Sequence, residues 1–292
     1  CITSDTGSGF EEQFLVADAI REYNEKHDLE AILLLGDNIY EEGVESIDDE
    51  QFTSKFELPY QDIDLPFYLL LGNHDYANLE GTDAFEDYAI HQINRSKISK
   101  KWNMPHRYYT VKLGNCEFFM LDTNLENMTN KEISHQLKYM RKKLKSSKKK
   151  YKFLCGHHTW YSSGQHTTTN KFNIFMSNLV QGANIHAYLC GHDHCKNHIQ
   201  IPYPIKKSKK RKTQRKKKRT KEKFLDLFII GTGGKGMDLS YLDRSRIKNP
   251  NKLLYQDADL GFIILDTTSK KTELEIYSCT KNNCRLTYKY IF

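Results

Sequence analysis

Five short segments that contain or adjoin a glycine carry the side chains that could do chemistry in this sequence. Each follows an apolar run and supplies carboxylate, phenol, amide or imidazole groups: Asp5, Asp37 with Tyr40, Asn73 with His74, His157, and His192 with His194. Any one alone would be interpreted as a polar turn, because Gly, Asp and Asn are common in turns. Five together supply the oxygen and imidazole donors that two-metal hydrolases use. The sequence therefore predicts a dinuclear metal site.

The apolar runs before these segments predict the strands that position them. Residues 31–35 and 67–71 are short, apolar and followed by glycine, which is typical of buried strands. A helix is predicted over residues 11–27, so the chain begins with alternating strands and helices. Ligands of such α/β sheets bind at the carboxyl ends of the strands. We therefore expect the five segments to meet at one edge of the sheet.

The later part of the chain departs from this alternation. Gly114-Asn115 predicts a hairpin between strands at 108–111 and 117–121. Further helices are predicted from about residue 130 and at 171–181, and further strands at 151–154, 187–190, 225–230, 261–266, 272–278 and 286–292. A glycine-rich turn occupies residues 231–236. We expect the late strands to form a second sheet that packs on the first within the same domain.

Composition excludes several classes of protein. A chain of 292 residues with 38% hydrophobic residues can bury a large core, and no apolar run approaches the length of a transmembrane segment. The net charge of +7 originates in a run at about 206–223, which holds 13 Lys or Arg against one Glu. The rest of the chain is therefore acidic, and no specific nucleic-acid partner is expected.

The basic run has three interpretations. We favour a solvated, low-complexity insertion between two strands. Because it closely follows the His194 segment, it could instead steer anionic substrates or bind polyanions. Its composition also matches a nuclear-localisation signal.

The seven cysteines lack the paired spacing of a zinc ribbon. Cys155 and Cys190 lie in apolar strands, which predicts small buried thiols. Cys279 and Cys284 flank a predicted turn and could cross-link a hairpin in an oxidising compartment.

The five segments resemble, in order, the motif blocks of the purple acid phosphatases, and within that family the small tartrate-resistant type. The blocks are Asp5-x-Gly7, Gly36-Asp37-x-x-Tyr40, Gly72-Asn73-His74-Asp75, Leu154-x-x-His157 and Gly191-His192-x-His194. Flanking residues 36–44, 97–105 and 187–194 agree as well, and the similarity runs from Asp5 nearly to the C-terminus. The resemblance implies a single metallophosphoesterase catalytic domain over 1–292, interrupted by the basic insertion. The implied fold is α/β, a four-layer αββα sandwich of two mixed sheets.

The resemblance also implies the metal ligands. Asp5, Asp37, Tyr40 and His194 resemble the ligands of a ferric ion. Asp37, Asn73, His157 and His192 resemble those of a divalent Fe, Zn or Mn ion, so Asp37 would bridge the two metals. Donor chemistry supports this division, because carboxylate and phenolate favour a hard trivalent ion whereas imidazole and amide suit a divalent one.

Two positions, Gly7 and Tyr40, distinguish purple acid phosphatases from other members of the wider superfamily. Calcineurin-like protein phosphatases and many phosphodiesterases resemble the chain at the other blocks. They characteristically place a His where this chain has Gly7, and they lack an equivalent of Tyr40. The chain follows the purple pattern at both positions.

The implied activity is that of an acid phosphatase, which hydrolyses phosphate monoesters with a metal-bound hydroxide as the nucleophile. His74 and His166 match the histidines that contact the phosphate and protonate the leaving group, and Asn73 would also bind substrate. His158 is a weaker candidate, and we expect it to pack beside the site. The expected substrates are phosphorylated small molecules or phosphoproteins.

The resemblance implies a secreted or lumenal monomer of lysosomal or vacuolar type. Such a location conflicts with interpretation of the basic run as a nuclear-localisation signal. Sequons at Asn94 and Asn127 permit secretion as a glycoprotein, and any signal peptide would lie upstream of Cys1. The segment after Asp122 is too short for the acidic loop of mammalian relatives, so proteolytic activation is not expected.

Two alternatives stay open at this point. A metallophosphodiesterase or phosphoprotein phosphatase could use the same scaffold. A non-enzymatic scaffold of a membrane complex is the second alternative, but the sequence retains all seven ligand positions and both histidines that would contact substrate.

Overall fold

The computed structural model of the protein describes residues 1–76, 88–202, 224–268, 270–281 and 283–292. The basic run at about 206–223 lies outside the described residues, and its interpretations stay predictions. The principal helices are α1 (Glu11–His27), α2 (Ala89–Arg95), α3 (Asn130–Ser146) and α4 (Asn170–Val180). The strands are β1 (Ile2–Thr3), β2 (Ile32–Leu35), β3 (Phe67–Leu70), β4 (Trp102–Asn103), β5 (Tyr109–Leu113), β6 (Cys116–Met120), β7 (Tyr151–Cys155), β8 (Ala187–Cys190), β9 (Lys196–Pro202), β10 (Phe224–Ile230), β11 (Lys252–Asp257), β12 (Leu260–Thr267), β13 (Thr272–Thr280) and β14 (Asn283–Ile291).

Two mixed sheets form the centre of the protein. In the first sheet the strand order is β14-β13-β12-β1-β2-β3-β4, and in the second it is β11-β9-β10-β8-β7-β6-β5. Aromatic side chains pack between the sheets, for example Phe153 of β7 against Phe292, with ring centroids 5.3 Å apart. Helix α1 packs on β12 and β13, whereas α3 and α4 cover the second sheet. The predicted αββα sandwich is therefore confirmed.

Helix α1 coincides with the predicted range, and α3 begins where local capping chemistry places it. The Thr129 side chain accepts a hydrogen bond from the backbone N–H of Glu132, and the Glu132 carboxylate accepts one from the backbone N–H of Thr129. This reciprocal arrangement satisfies two backbone donors at the start of the helix. No helix in the described part of the chain is long and apolar enough to cross a membrane.

The expectation that the late strands form the second sheet was wrong. Strands β12, β13 and β14 extend the first sheet, because β12 pairs antiparallel with β1 at Ile263 and Ile2. The second sheet comes instead from the middle of the chain. The short strand β1 would otherwise leave an unpaired edge beside the motif turns, and the late hairpins cover that edge.

Strands β4, β9 and β11 were not predicted. Strand β9 directly follows the His194 segment and begins with Lys196, Asn197 and His198, which are all fully buried. Because those side chains are polar, the strand lacks the apolar pattern by which strands are recognised. Strand β9 was missed because its polar side chains gain hydrogen-bonding partners only in the folded protein.

The cysteines follow the predictions. Cys279 and Cys284 form a disulfide across the β13–β14 hairpin. Cys155 and Cys190 are buried free thiols. Burial raises the pKa of the Cys190 thiol well above its usual value, which suits an inert packing role.

Candidate metal centre

The carboxyl ends of strands from both sheets meet at the candidate metal centre. Strands β1, β2 and β3 run parallel, and the turns after them carry Asp5, Asp37 and Asn73. Strands β7 and β8 of the second sheet are also parallel, and the turns after them carry His157 and His192. The structure brings together all seven residues proposed as ligands, each in contact with at least one other. Their assignment as ligands stays a prediction.

Asp5, Tyr40 and His194 form one contact group. The Tyr40 hydroxyl donates to Asp5 Oδ1 over 3.1 Å and lies 3.2 Å from His194 Nε2. His194 Nε2 is in turn 3.4 Å from Asp5 Oδ1. Asp5 is 0% exposed and Tyr40 is 2% exposed. These are three of the four donors that the family resemblance implies for a ferric ion.

Asp37, Asn73 and His157 form the second contact group. His157 Nε2 lies 3.2 Å from Asp37 Oδ2 and 3.0 Å from Asn73 Oδ1. The His157 Nδ1–H donates to the Leu35 carbonyl at 2.9 Å, so in a neutral ring Nε2 carries the lone pair. Such a backbone hydrogen bond is what orients metal-binding histidines. The His192 ring packs on His157 with centroids 5.1 Å apart, which completes the predicted divalent set.

Asp37 connects the two groups. Donor atoms of Asp5, Asp37 and His157 all lie within 4.8 Å of one another, and all three residues are buried. Burial raises the pKa of the Tyr40 hydroxyl, and the negative charges of Asp5 and Asp37 raise it further. Asp37 therefore contacts His157 of the second group and lies close to Asp5 of the first.

The pKa shifts indicate that the site accommodates positive charge. Burial alone would raise the pKa of Asp37, but the neighbouring His157, His74 and His192 hold it below its ordinary value. Burial would lower the pKa of His157, yet the charges of Asp37 and Asp5 raise it to about 9. Two buried carboxylates so close together require a compensating cation, which a proton on His157 or a metal ion can supply. The donor set fits a metal.

Tight backbone geometry explains the glycines in the motifs. A Cβ on Gly72 would lie 2.1 Å from Asp37 Oδ1, and one on Gly191 would lie 2.3 Å from Asp5 Oδ2. Asp5, Asp37 and His192 also adopt positive φ angles of 58°, 51° and 70°. Such conformations are uncommon for residues other than glycine and concentrate at functional sites.

The structure places both predicted catalytic histidines beside the donors. The backbone N–H of His74 donates to Asp37 Oδ1 at 3.1 Å, and the His74 ring lies 4.6 Å from the Tyr40 ring. His166 is exposed, and its ring lies 4.0 Å from that of His192. Both side chains can therefore face a substrate bound at the donors.

His158 is held as a neutral packing residue. Thr123 Oγ1 accepts from the backbone N–H groups of His157 and His158, so its hydroxyl donates to His158 Nδ1 at 2.8 Å. Burial lowers the pKa of His158 to about 3. These contacts agree with the expected packing role.

Two carboxylates inside the motifs organise the site, although the sequence indicated no role for either. Asp75 accepts from the backbone N–H groups of Asn38 at 3.0 Å and Gly72 at 2.8 Å, and so joins two motif turns. Asp193 Oδ1 accepts from the N–H groups of Gln165 at 2.9 Å and His166 at 3.1 Å. Both are fully buried. The only indication in the sequence was their position: Asp75 follows the proposed ligand Asn73 by two residues, and Asp193 stands between the proposed ligands His192 and His194.

Comparisons with known proteins agree with this geometry. The model of the calcineurin-like phosphoesterase family matches residues 1–196. The chain is 32% identical over 192 residues to tartrate-resistant acid phosphatase type 5 of Homo sapiens, covering 58% of this chain and 56% of that protein. It is 29% identical over 209 residues to purple acid phosphatase 7 of Arabidopsis thaliana, covering 64% of this chain and 61% of that protein. These matches span less than two thirds of either relative.

Solved structures share the fold over almost the whole chain. GAP50, the anchor in the inner membrane complex of Plasmodium, aligns with a TM-score of 0.76 at 18% identity, over 99% of this chain and 86% of that chain. Purple acid phosphatase PPD1 from yellow lupin seeds aligns with a TM-score of 0.70 at 15% identity, over 99% of this chain and 52% of that chain. The predicted resemblance is confirmed by the curated relatives, and these structures support the fold.

Proposed function

The chain belongs to the calcineurin-like phosphoesterase family, and we propose that it is an acid phosphatase that hydrolyses phosphate monoesters at a dinuclear Fe(III)–M(II) centre. The observation that carries the proposal is the pair of contact groups, Asp5–Tyr40–His194 and Asp37–Asn73–His157, with donor atoms of Asp37 within 4.8 Å of those of Asp5 and His157. The names of the curated relatives support the reaction class.

In this proposal the first group, with Asp37, would hold the ferric ion. The second group, with His192, would hold a divalent Fe, Zn or Mn ion. Two such metals supply the Lewis acidity that polarises a phosphoryl oxygen and activates a water. The chain's own contribution is to hold the donors rigidly: three of them have left-handed backbone conformations.

His74 and His166 would act on the substrate directly. His74 Nδ1 donates to the Glu41 carbonyl at 2.6 Å, which leaves Nε2 to contact a phosphate oxygen. The exposed His166 ring lies 4.0 Å from the His192 ring and would pass a proton to the departing alkoxide. Asn73 would contribute to substrate binding beside its metal.

A cavity of 190 Å³ opens beside the divalent site and would receive the leaving group. It is lined by Asn73, His158, His192, Phe172 and the threonines at 167–169, among other residues. None of the described residues that line it is Lys or Arg. The cavity therefore favours uncharged leaving groups, such as small alcohols or the serine side chain released from a phosphoserine, over polyphosphates.

The proposed location is an extracellular or lumenal compartment, and the proposed state is a monomer. The Cys279–Cys284 disulfide supports an oxidising compartment, since disulfides persist there and are rare in the cytosol.

Metal analysis with a visible spectrum and a pH–rate profile tests the proposal. We expect two metal ions per chain, a phenolate-to-iron charge-transfer band, and a higher kcat/KM for p-nitrophenyl phosphate than for bis-p-nitrophenyl phosphate at acidic pH. Tyr40→Phe should abolish the band, because it removes the phenolate. A colourless protein that holds stoichiometric iron would refute the ferric assignment, and a preference for the diester would favour the phosphodiesterase alternative.

The scaffold alternative is tested by the same measurements. The likeness to GAP50, named as an anchor, is at 18% identity and concerns the fold alone. The complete donor set favours an enzyme, because a purely structural role does not require seven metal-binding side chains. A protein that contains no metal and has no turnover would favour the scaffold.

A further inference from the structure

The glycine-rich turn at 231–236 has no role in the reaction so far. It lies directly on the turn that carries Asp5. The Gly233 N–H donates to the Ser4 carbonyl at 2.9 Å, and a Cβ on Gly234 would lie 2.2 Å from the Thr6 carbonyl oxygen. Because no side chain separates the two backbones, the next residue of the turn is delivered to the rim of the candidate metal centre.

That next residue is Lys235. Its Nζ lies 3.8 Å from the centroid of the Tyr40 ring, over the face of the phenol. The same Nζ lies 2.8 Å from Glu41 Oε1, which fixes the ammonium in place. The Lys235 side chain is 25% exposed, whereas Tyr40 is buried. A partly desolvated cation at this distance is attracted strongly to an aromatic face.

We propose that Lys235 is a positioning residue that stabilises the negative charge of the Tyr40 phenolate and thereby sets the energy of its charge transfer to iron. The inference rests on the proposed ferric site. Phenolate charge is delocalised over the ring, so a cation over the ring stabilises it more than it stabilises a neutral phenol. Charge transfer moves an electron from the ring to the iron, and the excited state loses this stabilisation. Lys235 therefore raises the transition energy.

Lys235→Met tests the inference, because it keeps the length of the side chain and removes the charge. We expect the visible band of the iron-loaded protein to move to longer wavelength by roughly 10–30 nm, the scale for a unit charge about 4 Å from the ring at an intermediate effective dielectric. Lys235→Arg should restore the band to within a few nanometres, since the cation returns.

Two further variants separate the charge of Lys235 from general effects. Glu41→Gln with Lys235→Met removes both charges of the pair, and its band should still lie at longer wavelength than the wild-type band. Lys281→Met is the matched control, because Lys281 forms an exposed ion pair with Glu11 and has no aromatic contact with the site. Its band should be unchanged. Circular dichroism and iron content are measured for each variant.

The outcomes distinguish the inference from the proposed function. No visible band in the wild-type protein overturns the ferric assignment and the inference with it. A wild-type band that Lys235→Met leaves unmoved, with iron content retained, overturns the role of Lys235 alone. A shift that Lys235→Arg fails to reverse also overturns it, because the effect would then depend on packing and not on charge.

Discussion

Replacement of Asp193 by Ala should impair catalysis through His166 while the metal centre stays intact. Asp193 lies between His192 and His194 in the sequence and is fully buried. Its carboxylate accepts hydrogen bonds from the backbone N–H groups of Gln165 and His166 at 2.9 and 3.1 Å. These two hydrogen bonds hold the exposed loop that presents the His166 ring. Without them the loop can adopt other conformations, and the ring is less often in place.

The size of the effect follows from the lost hydrogen bonds. A hydrogen bond to a charged group contributes about 1.5–3 kcal/mol, and water can partly replace it on an exposed loop. Loss of both hydrogen bonds should destabilise the ordered conformation of the loop by about 1.5–3 kcal/mol. At 1.36 kcal/mol per factor of ten, the His166 ring is then in place less often and kcat falls ~10–100-fold. Asp193→Asn keeps an oxygen acceptor without the charge and should lose no more than ~5-fold.

The assay compares an alkyl phosphate with p-nitrophenyl phosphate. A poor leaving group needs a proton from His166, whereas p-nitrophenolate does not, so Asp193→Ala should slow only the alkyl substrate. His166→Ala should slow that substrate by at least ~100-fold, the usual range for a general acid. The double variant should be no slower than His166→Ala, because two residues that act through one group are not additive.

Asp193→Ala could also disturb the neighbouring donors, so iron content and the visible band are measured on each variant. Equal losses on both substrates with full iron content would refute the reasoning. The reasoning would also be refuted if Asp193→Ala slowed the His166→Ala variant by the same factor by which it slows the wild-type protein.

Two further predictions concern stability. Lys196 is fully buried, and its Nζ lies 3.0 Å from Asp257 Oδ2 and donates to Ser278 Oγ at 2.7 Å. Lys196→Met should lower the free energy of unfolding by about 3 kcal/mol, because it leaves the largely buried Asp257 carboxylate without its cation. Urea denaturation measures this free energy. Adding Asp257→Asn to Lys196→Met should recover at least ~1 kcal/mol of it. A loss below ~1 kcal/mol in Lys196→Met alone would contradict a stabilising ion pair between Lys196 and Asp257. Cys279→Ser with Cys284→Ser removes a cross-link that closes a short loop and should cost about 2 kcal/mol. Because β12 separates this hairpin from β1, kcat should stay unchanged, and a large loss of activity would show that the hairpin supports the site.

The sequence alone determined the features that depend on neighbours along the chain. Helix α1 is set by local periodicity, the start of α3 by its capping residues, and the motif turns by glycine geometry. The predicted donors lie together in the structure. Each motif turn follows a strand that runs parallel to at least one neighbouring strand. Parallel strands therefore bring Asp37 and Asn73 to one edge without any further information.

Only the tertiary structure decided the features that depend on contacts between distant residues. Strands β12 to β14 joined the first sheet because an edge of β1 was free, which no local pattern records. Polar strand β9 is buried because Lys196 and His198 meet Asp257 of β11 and Asp226 of β10, the strands that flank β9 in the sheet. Lys235 reaches Tyr40 from a turn nearly two hundred residues later in the chain, and spacing along the sequence cannot encode such a contact.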